Sequence, residues 1–325
     1  MEFKKVKDLK ISVLGQGTWQ GSMKGWGKDY SEKDFIESVK KSIELGVNFF
    51  DTAEIYGNGY SEKLLGKAIS GYNREDLIIA TKLAPFNIKN WEKHLDRSLK
   101  NLNTKYIDIY QLHWPTPFYI NFNKYLKEME NAIKNGKIRY IGVSNFYLKD
   151  IEKLEVDIIS NQIKYNILKK QLNDNEIEIL NKKNILVIGY SPLEMGLLSG
   201  KYNINEKPKG YLRKRIPYLK GENFRKFNEI LTFLKDLSNK YDYSLTQISL
   251  KYCIMKNVVP IYGSKNGKQS EDNALSINVP LKPEDVNKID ELVYSMHLKN
   301  LEEDWSKLAR NLPLFIQKLT LKYFI

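Results

Sequence analysis

The chain has 325 residues and a single cysteine, Cys253, so it cannot form an internal disulfide. That thiol lies in an apolar helical run with Leu250, Tyr252 and Ile254, which predicts a buried, inert sulfur rather than a nucleophile. Only three histidines are present, and neither His-x-x-x-His nor Cys-x-x-Cys spacing occurs, so no metal is expected. No stretch reaches the roughly 20 apolar residues a membrane span needs. Residues 1–15 carry lysines but no long apolar run, so no secretory signal is read there. A cytoplasmic protein with no membrane partner is expected. There is no Pro/Gly/Ser-rich linker and no repeat. A glycine-rich phosphate turn is also missing: Gly15-x-Gly17 runs into Thr18-Trp19-Gln20-Gly21, with the third glycine out of register.

What is present is an ordinary globular composition, 42% hydrophobic and 28% charged, with a formal net charge of +13. The lysines are spread along the whole chain, and only residues 207–215 form a local cluster. This reads as a solvated basic surface. No nucleic-acid module is recognised and no nucleic-acid partner is expected. A field of this sign does favour an anionic cofactor.

Eight apolar runs recur at residues 13–14, 47–50, 77–80, 107–112, 138–143, 159–163, 186–190 and 258–261. Several are near-continuous, as parallel strands covered on both faces require. Between them lie helical patterns: Phe35, Val39 and Ile43; Leu64, Leu65, Ala68 and Ile69; Leu95, Leu99 and Leu102; Leu126, Met129 and Ile133; Ile177 and Leu180. Gly46 and Gly136 follow two of these helices, where a left-handed residue ends the turn. Eight βα units in one domain predict a (β/α)8 TIM barrel over residues 1–299. Residues 300–325 break the pattern with Trp305, Leu308, Leu312, Leu314, Phe315 and Ile316, and read as a C-terminal extension packing on or near the barrel.

Functional groups of such a barrel collect at the C-terminal ends of its strands. Asp51 and Tyr56 follow the second predicted strand, Lys82 ends the third, and His113-Trp114 end the fourth. Singly, each has a bland reading, since the chain has 21 tyrosines and a lone histidine is usually structural. His94 and His297 fall in helix-like, exposed contexts. Four such groups at one rim suit carbonyl chemistry. Hydride transfer to a carbonyl builds negative charge on its oxygen, which needs a donor and then a proton. A phenol supplies both, and a neighbouring ammonium lowers its pKa from about 10. Asp51 would hold Lys82 charged and aimed, and neutral His113 would orient the carbonyl.

The stretch Gly46-Val47-Asn48-Phe49-Phe50-Asp51-Thr52-Ala53-Glu54-x-Tyr56-Gly57, with Ser61-Glu62-x-x-x-Gly66-x-Ala68, resembles the first motif of the aldo-keto reductase family. Ala80-Thr81-Lys82 and Gln111-Leu112-His113-Trp114-Pro115 resemble its next two, and the likeness runs from about Leu14 to Ser276. It implies a catalytic tetrad of Asp51, Tyr56, Lys82 and His113, with Tyr56 as general acid. It implies that Ser144, Asn145 and Gln162 meet a nicotinamide carboxamide and that Tyr190 stacks on the ring. Ser191, Leu193 and Lys201 would meet the pyrophosphate, with Thr18, Trp19, Asp51 and Gly263 lining the same groove. Ser264 and Lys265 would take a 2′-phosphate, and Gln269, Asp272 and Asn273 the adenine. NADP(H) is therefore expected over NAD(H). Tyr262 departs from the family, standing where many members have proline, which bears on the path of that last loop.

Trp19, Tyr56, His113 and Trp114 are expected around the substrate, with Trp26 and Tyr119 nearby. Such walls suit small aldehydes, ketones or alcohols, and no Arg or Lys pair awaits a carboxylate. The basic stretch 207–215, with Arg213, is expected to fold over the cofactor. The alternative function is a cofactor-binding regulatory subunit with slow or no turnover. Natural substrate, direction and oligomeric state stay open.

Overall fold

A computed structural model describes residues 1–24, 29–202, 217–219, 221–297 and 311–321. Trp26, Trp305, Leu308 and the basic stretch 207–215 lie outside the described residues. The chain opens with an antiparallel hairpin, β1 (Phe3–Val6) and β2 (Leu9–Ser12). Eight parallel strands follow: β3 (Gly15–Gly17), β4 (Phe49–Asp51), β5 (Ile78–Leu83), β6 (Ile107–Leu112), β7 (Ile138–Ser144), β8 (Ser160–Lys164), β9 (Leu186–Tyr190) and β10 (Val259–Gly263). They close in the order β10-β3-β4-β5-β6-β7-β8-β9 into a (β/α)8 barrel.

The helices that matter for the site are α1 (Glu32–Glu44), α2 (Tyr60–Ile69) and α3 (Trp91–Leu102), which follow β3, β4 and β5. Next come α4 (Phe122–Lys134), the single turn α5 (Leu148–Ile151), α6 (Asp174–Lys182), α7 (Gly221–Tyr241) and α8 (Leu245–Met255). Then α9 (Gly267–Ala274) follows β10, α10 (Pro283–Ser295) packs outside, and α11 (Leu314–Leu321) is the last described element. Ser31 caps α1 through a reciprocal pair with Asp34, which satisfies two otherwise orphaned amide groups. Gly46 and Gly136 have φ of 84° and 68°, the left-handed ends the sequence signals.

The apolar pattern places seven strands closely and the first one two residues early. The barrel strand is Gly15–Gly17, not 13–14, because the space beside it is already filled. A Cβ on Gly15 would come within 2.5 Å of the Phe49 ring. This strand therefore has no apolar side chains to betray it. The hairpin leaves no clear trace in the sequence either, since lysines alternate with its apolar residues. Its Val6, Leu9 and Ile11 join Phe49, Ile78, Ala80, Ile109, Ile159, Leu186, Ile188, Val259 and Ile261 in one interior cluster. The hairpin thus plugs the N-terminal end of the barrel and leaves the other end for chemistry. Cys253 is buried against the Tyr165 carbonyl, and burial pushes its thiol up to about 12, an inert sulfur as expected.

The plugged end is tied by charge. Asp108 on β6 is fully buried and accepts from Arg74 Nη2 at 2.6 Å, Arg139 Nη1 at 2.8 Å and the Ile79 amide at 2.9 Å. Arg139 also reaches Asp8 in the hairpin turn at 2.7 Å. Replacing Asp108 by alanine removes the buried carboxylate that two guanidinium groups share, leaving Arg139 with Asp8 and Arg74 with only neutral acceptors. Urea denaturation of Asp108→Ala is expected to show a loss of about 2–4 kcal/mol; an unchanged midpoint would mean the network carries no stability.

Candidate active site

Strand register brings the polar residues to one rim. Asp51 ends β4, beside Ala80 of β5; Lys82 of β5 pairs with Gln111 of β6; Ser144 of β7 pairs with Gln162 of β8. The His113 amide donates to the Leu83 carbonyl at 2.9 Å, so the first residue past β6 is still fixed to its neighbour strand. Because side chains alternate along a strand, Gln111 and His113 project to the same side.

At the centre sits Lys82, fully buried. Its ammonium is ion-paired to Asp51, donates to the Thr52 carbonyl at 2.8 Å and lies 3.4 Å from the Tyr56 hydroxyl. The other oxygen of Asp51 accepts from Gln162 Nε2 at 2.8 Å and Gln111 Nε2 at 3.1 Å. Burial pulls the Lys82 pKa down, but the Asp51 charge, with the contacts to Asp51 and to the Tyr56 hydroxyl, outweighs it and holds the ammonium above its ordinary value. For Tyr56 the balance differs from the sequence expectation. Lys82 does lower the phenol, yet desolvation is larger, and the hydroxyl ends above its ordinary value and protonated. Burial, then the Lys82 charge, pushes His113 well below its ordinary value, so its imidazole is neutral. Its Nδ1 is buried with no hydrogen-bond partner among the described residues.

Aromatic rings line the approach. Trp19 stacks on Tyr56 with centroids 5.8 Å apart, His113 meets Tyr56 edge-on at 5.9 Å, and Trp114 lies 4.8 Å from His113. Trp114 is less open than expected. It is buried, and its indole donates to Gln317 of α11 at 2.9 Å. Its ring borders Phe86 at 6.1 Å, so it supports the mouth from behind.

The expected dinucleotide groove splits into groups. Asn145, in the left-handed region, donates to the His113 carbonyl at 3.0 Å and accepts from the Tyr190 hydroxyl at 2.9 Å. The Ser144 hydroxyl donates to the Gln162 carbonyl. Ser191, Glu194, Met195 and Gly196 all have positive φ, and Asn166 holds this loop through the Ser191 carbonyl and the Glu194 carboxylate. Leu193 packs against Leu14, Leu250 and Tyr262. Lys201 and Lys268 act electrostatically on Asp272, whose carboxyl burial raises. Ser264 stands on the loop into α9 and Gln269 and Asn273 on α9 itself, where Gln269 accepts the Lys265 amide at 2.9 Å and Asn273 is buried. Thr18 and Lys265 also have partners within the protein: Thr18 donates its hydroxyl to the Asp51 carbonyl, and Lys265 is ion-paired with Asp29 at 2.7 Å. Gly263 lies against the Gln20 amide, with no room for a Cβ. Tyr262 does not enter the groove: its hydroxyl meets Ser42 of α1 at 2.7 Å, outside the barrel wall.

Two buried neighbours of these residues stand in the sequence only as motif context. Gln111 is one, although its spacing from His113 puts it on the inward face. Glu54 is the other. It is buried, and it accepts from the Ala84 amide at 2.8 Å, from Asn87 at 2.9 Å and from His94. His94 is therefore not an exposed helical residue; α3 presents it to the turn that carries Tyr56. Among the described residues, no three His, Cys, Asp or Glu gather as a metal site, and no helix is long and apolar enough to cross a membrane.

Removing the Asp51 charge leaves burial as the dominant effect on Lys82. In Asp51→Asn the Lys82 pKa is expected to fall below its ordinary 10.5, read by NMR titration of labelled lysine side chains. A Lys82 that still titrates above that value would show that Asp51 does not set its charge.

Comparison with known proteins agrees with this architecture. Residues 13–294 match the model of the Aldo/keto reductase family. An uncharacterized oxidoreductase of Mycobacterium bovis is 33% identical over 284 residues, covering 84% of this chain and 86% of that protein. The NADH-specific methylglyoxal reductase of Escherichia coli is 26% identical, covering 89% and 97%. The crystal structure of a Bombyx mori aldo-keto reductase in complex with NADP superposes with a TM-score of 0.69 at 26% identity, covering 90% and 92%. The chain belongs to the aldo/keto reductase family and is an oxidoreductase of that type.

Proposed function

We propose that this enzyme reduces small aldehydes or ketones with NADPH, or runs the reverse alcohol oxidation, with Tyr56 as the proton donor. The observation that carries this reading is the Tyr56 hydroxyl 3.4 Å from a buried ammonium, with a neutral imidazole at its edge. Among the described residues the donor set fits a nicotinamide dinucleotide. The amide side chains of Asn145 and Gln162 flank the rim, and the half-buried Tyr190 ring stands beside Asn145. The cations Lys201 and Lys265 lie farther out on the loops of β9 and β10. When bound, such a cofactor supplies a hydride to the carbonyl carbon.

The side chains manage the charge that develops on oxygen. Tyr56, protonated at neutral pH, donates its proton to the nascent alkoxide. Lys82 then faces a phenolate at short range, and its charge stabilises that anion. Asp51 keeps Lys82 charged and aimed, while Gln111 and Gln162 fix Asp51. A neutral His113 donates a hydrogen bond to the carbonyl oxygen without adding a proton of its own. The aromatic walls of Trp19 and Tyr56 accept small apolar groups.

NADP(H) is favoured over NAD(H) on chemistry. Lys265 offers a cation to a 2′-phosphate beside Ser264, whose buried hydroxyl donates to the Asn266 carbonyl at 2.9 Å, and the net charge of +13 draws anions. The Bombyx mori relative was solved with NADP, whereas the Escherichia coli relative is NADH-specific. Both cofactors therefore belong in the same assay.

Tyr56→Phe removes the donor and little else. Turnover is expected to fall by about 10²–10⁴-fold, with NADPH affinity nearly unchanged. Wild-type kcat in that variant would overturn the mechanism. The pH profile carries a sign. A donor whose pKa lies above its ordinary 10.0 stays protonated through neutral pH. Reduction is therefore expected to be flat from about pH 6 to 9, and oxidation, which needs the phenolate, to rise with pH over that range. A reduction rate that falls with a midpoint near 7 would assign the proton to another group.

A further inference from the structure

Lys265 is the cation expected to meet a 2′-phosphate, yet it already has an anion. Its Nζ lies 2.7 Å from Asp29 Oδ1, bridging 236 positions of sequence. The lysine side chain is only 14% exposed, whereas the Asp29 side chain is 69% exposed. The ammonium also lies over the Tyr30 ring, 5.0 Å from its centroid. This pairing is held in place by its surroundings. The Tyr30 hydroxyl donates to the Gln20 carbonyl at 2.6 Å, and Gln20 packs against Gly263 at the end of β10. Ser31, two residues after Asp29, is locked as the cap of α1. At the start of α9, Glu37 of α1 packs on Gly267, where a Cβ would come within 3.2 Å of its Oε1.

We propose that Asp29 is a specificity-determining residue that weakens the enzyme's preference for the phosphorylated dinucleotide. The inference rests on the reading of Lys265 as the 2′-phosphate cation. A phosphate that recruits Lys265 must compete with the Asp29 carboxylate and then tolerate its negative charge nearby. A cofactor without that phosphate has neither cost. Asp29 thus narrows the gap between NADPH and NADH, and it does so from the β3–α1 connection, outside the loop that carries the cation.

The test is isothermal titration of the full-length protein with NADPH, NADH, 2′,5′-ADP and AMP at low salt. Asp29→Asn is expected to tighten NADPH and 2′,5′-ADP about two- to fivefold, the scale of an exposed ion pair, and to leave NADH and AMP unchanged. The gain should shrink as salt screens the charges. Asp29→Glu, which keeps the charge, should bind like wild type. Unchanged or weaker NADPH binding by Asp29→Asn would overturn the proposal, and so would equal tightening of NADH. Lys265→Ala run in parallel separates the two ideas. If it loses NADPH affinity selectively while Asp29→Asn is silent, only the role of Asp29 fails. If it leaves NADPH binding untouched, the assignment of Lys265 fails and the proposal falls with it.

Discussion

A charged lysine at the heart of a barrel is costly. Moving an ammonium out of water carries a penalty of several kcal/mol unless an opposite charge and hydrogen bonds replace the solvent. Here the replacement is complete: Lys82 meets Asp51, the Thr52 carbonyl and the Tyr56 hydroxyl. Asp51 in turn is fixed by Gln111 and Gln162. These side chains come from β4, β5, β6 and β8, so the network spans half of the barrel wall. Even a glycine takes part. A Cβ on Gly142 of β7 would come within 2.9 Å of Gln111 Cγ, so its absence leaves room for the Gln111 side chain. Closure of the sheet and charging of Lys82 are therefore one constraint.

The same constraint explains the electrostatic division of labour. Burial acts on Tyr56, Lys82 and His113 alike, yet it keeps the first protonated, is overcome at the second and neutralises the third. One environment thus produces a neutral acid, a cation and a neutral hydrogen-bonding ring within contact distance. Glu54 binds the Tyr56 turn to the strand of Lys82: its amide meets the Lys82 carbonyl at 3.4 Å and its carboxylate takes the Ala84 amide. These ties fix the Tyr56 turn against β5, while Asp51 and the Thr52 carbonyl fix the Lys82 ammonium beside the Tyr56 hydroxyl.

Most of the barrel was legible because parallel strands buried on both faces leave apolar runs, and glycines such as Gly46 mark helix ends. The four central residues were legible because each follows such a run. Other parts were not. Gly15–Gly17 is a strand without apolar side chains, and Phe49 occupies the space beside Gly15. The hairpin buries only alternate residues among lysines. Asp29 and Lys265, or Trp114 and Gln317, are ordinary residues until the fold brings them together across more than 200 positions. The phenol of Tyr56 shows a different limit. A neighbouring cation can be read from a motif, but the depth of burial that outweighs it cannot.

The most direct measurement of the central claim is NADPH oxidation at 340 nm by the purified protein with a reactive aromatic aldehyde, with the alcohol quantified at the end. The account predicts that alcohol forms in step with NADPH consumed, and faster with NADPH than with NADH. Tight NADPH binding with no alcohol formed, across aldehydes and ketones and in the reverse direction with alcohols, would contradict it and favour a cofactor-binding regulatory subunit.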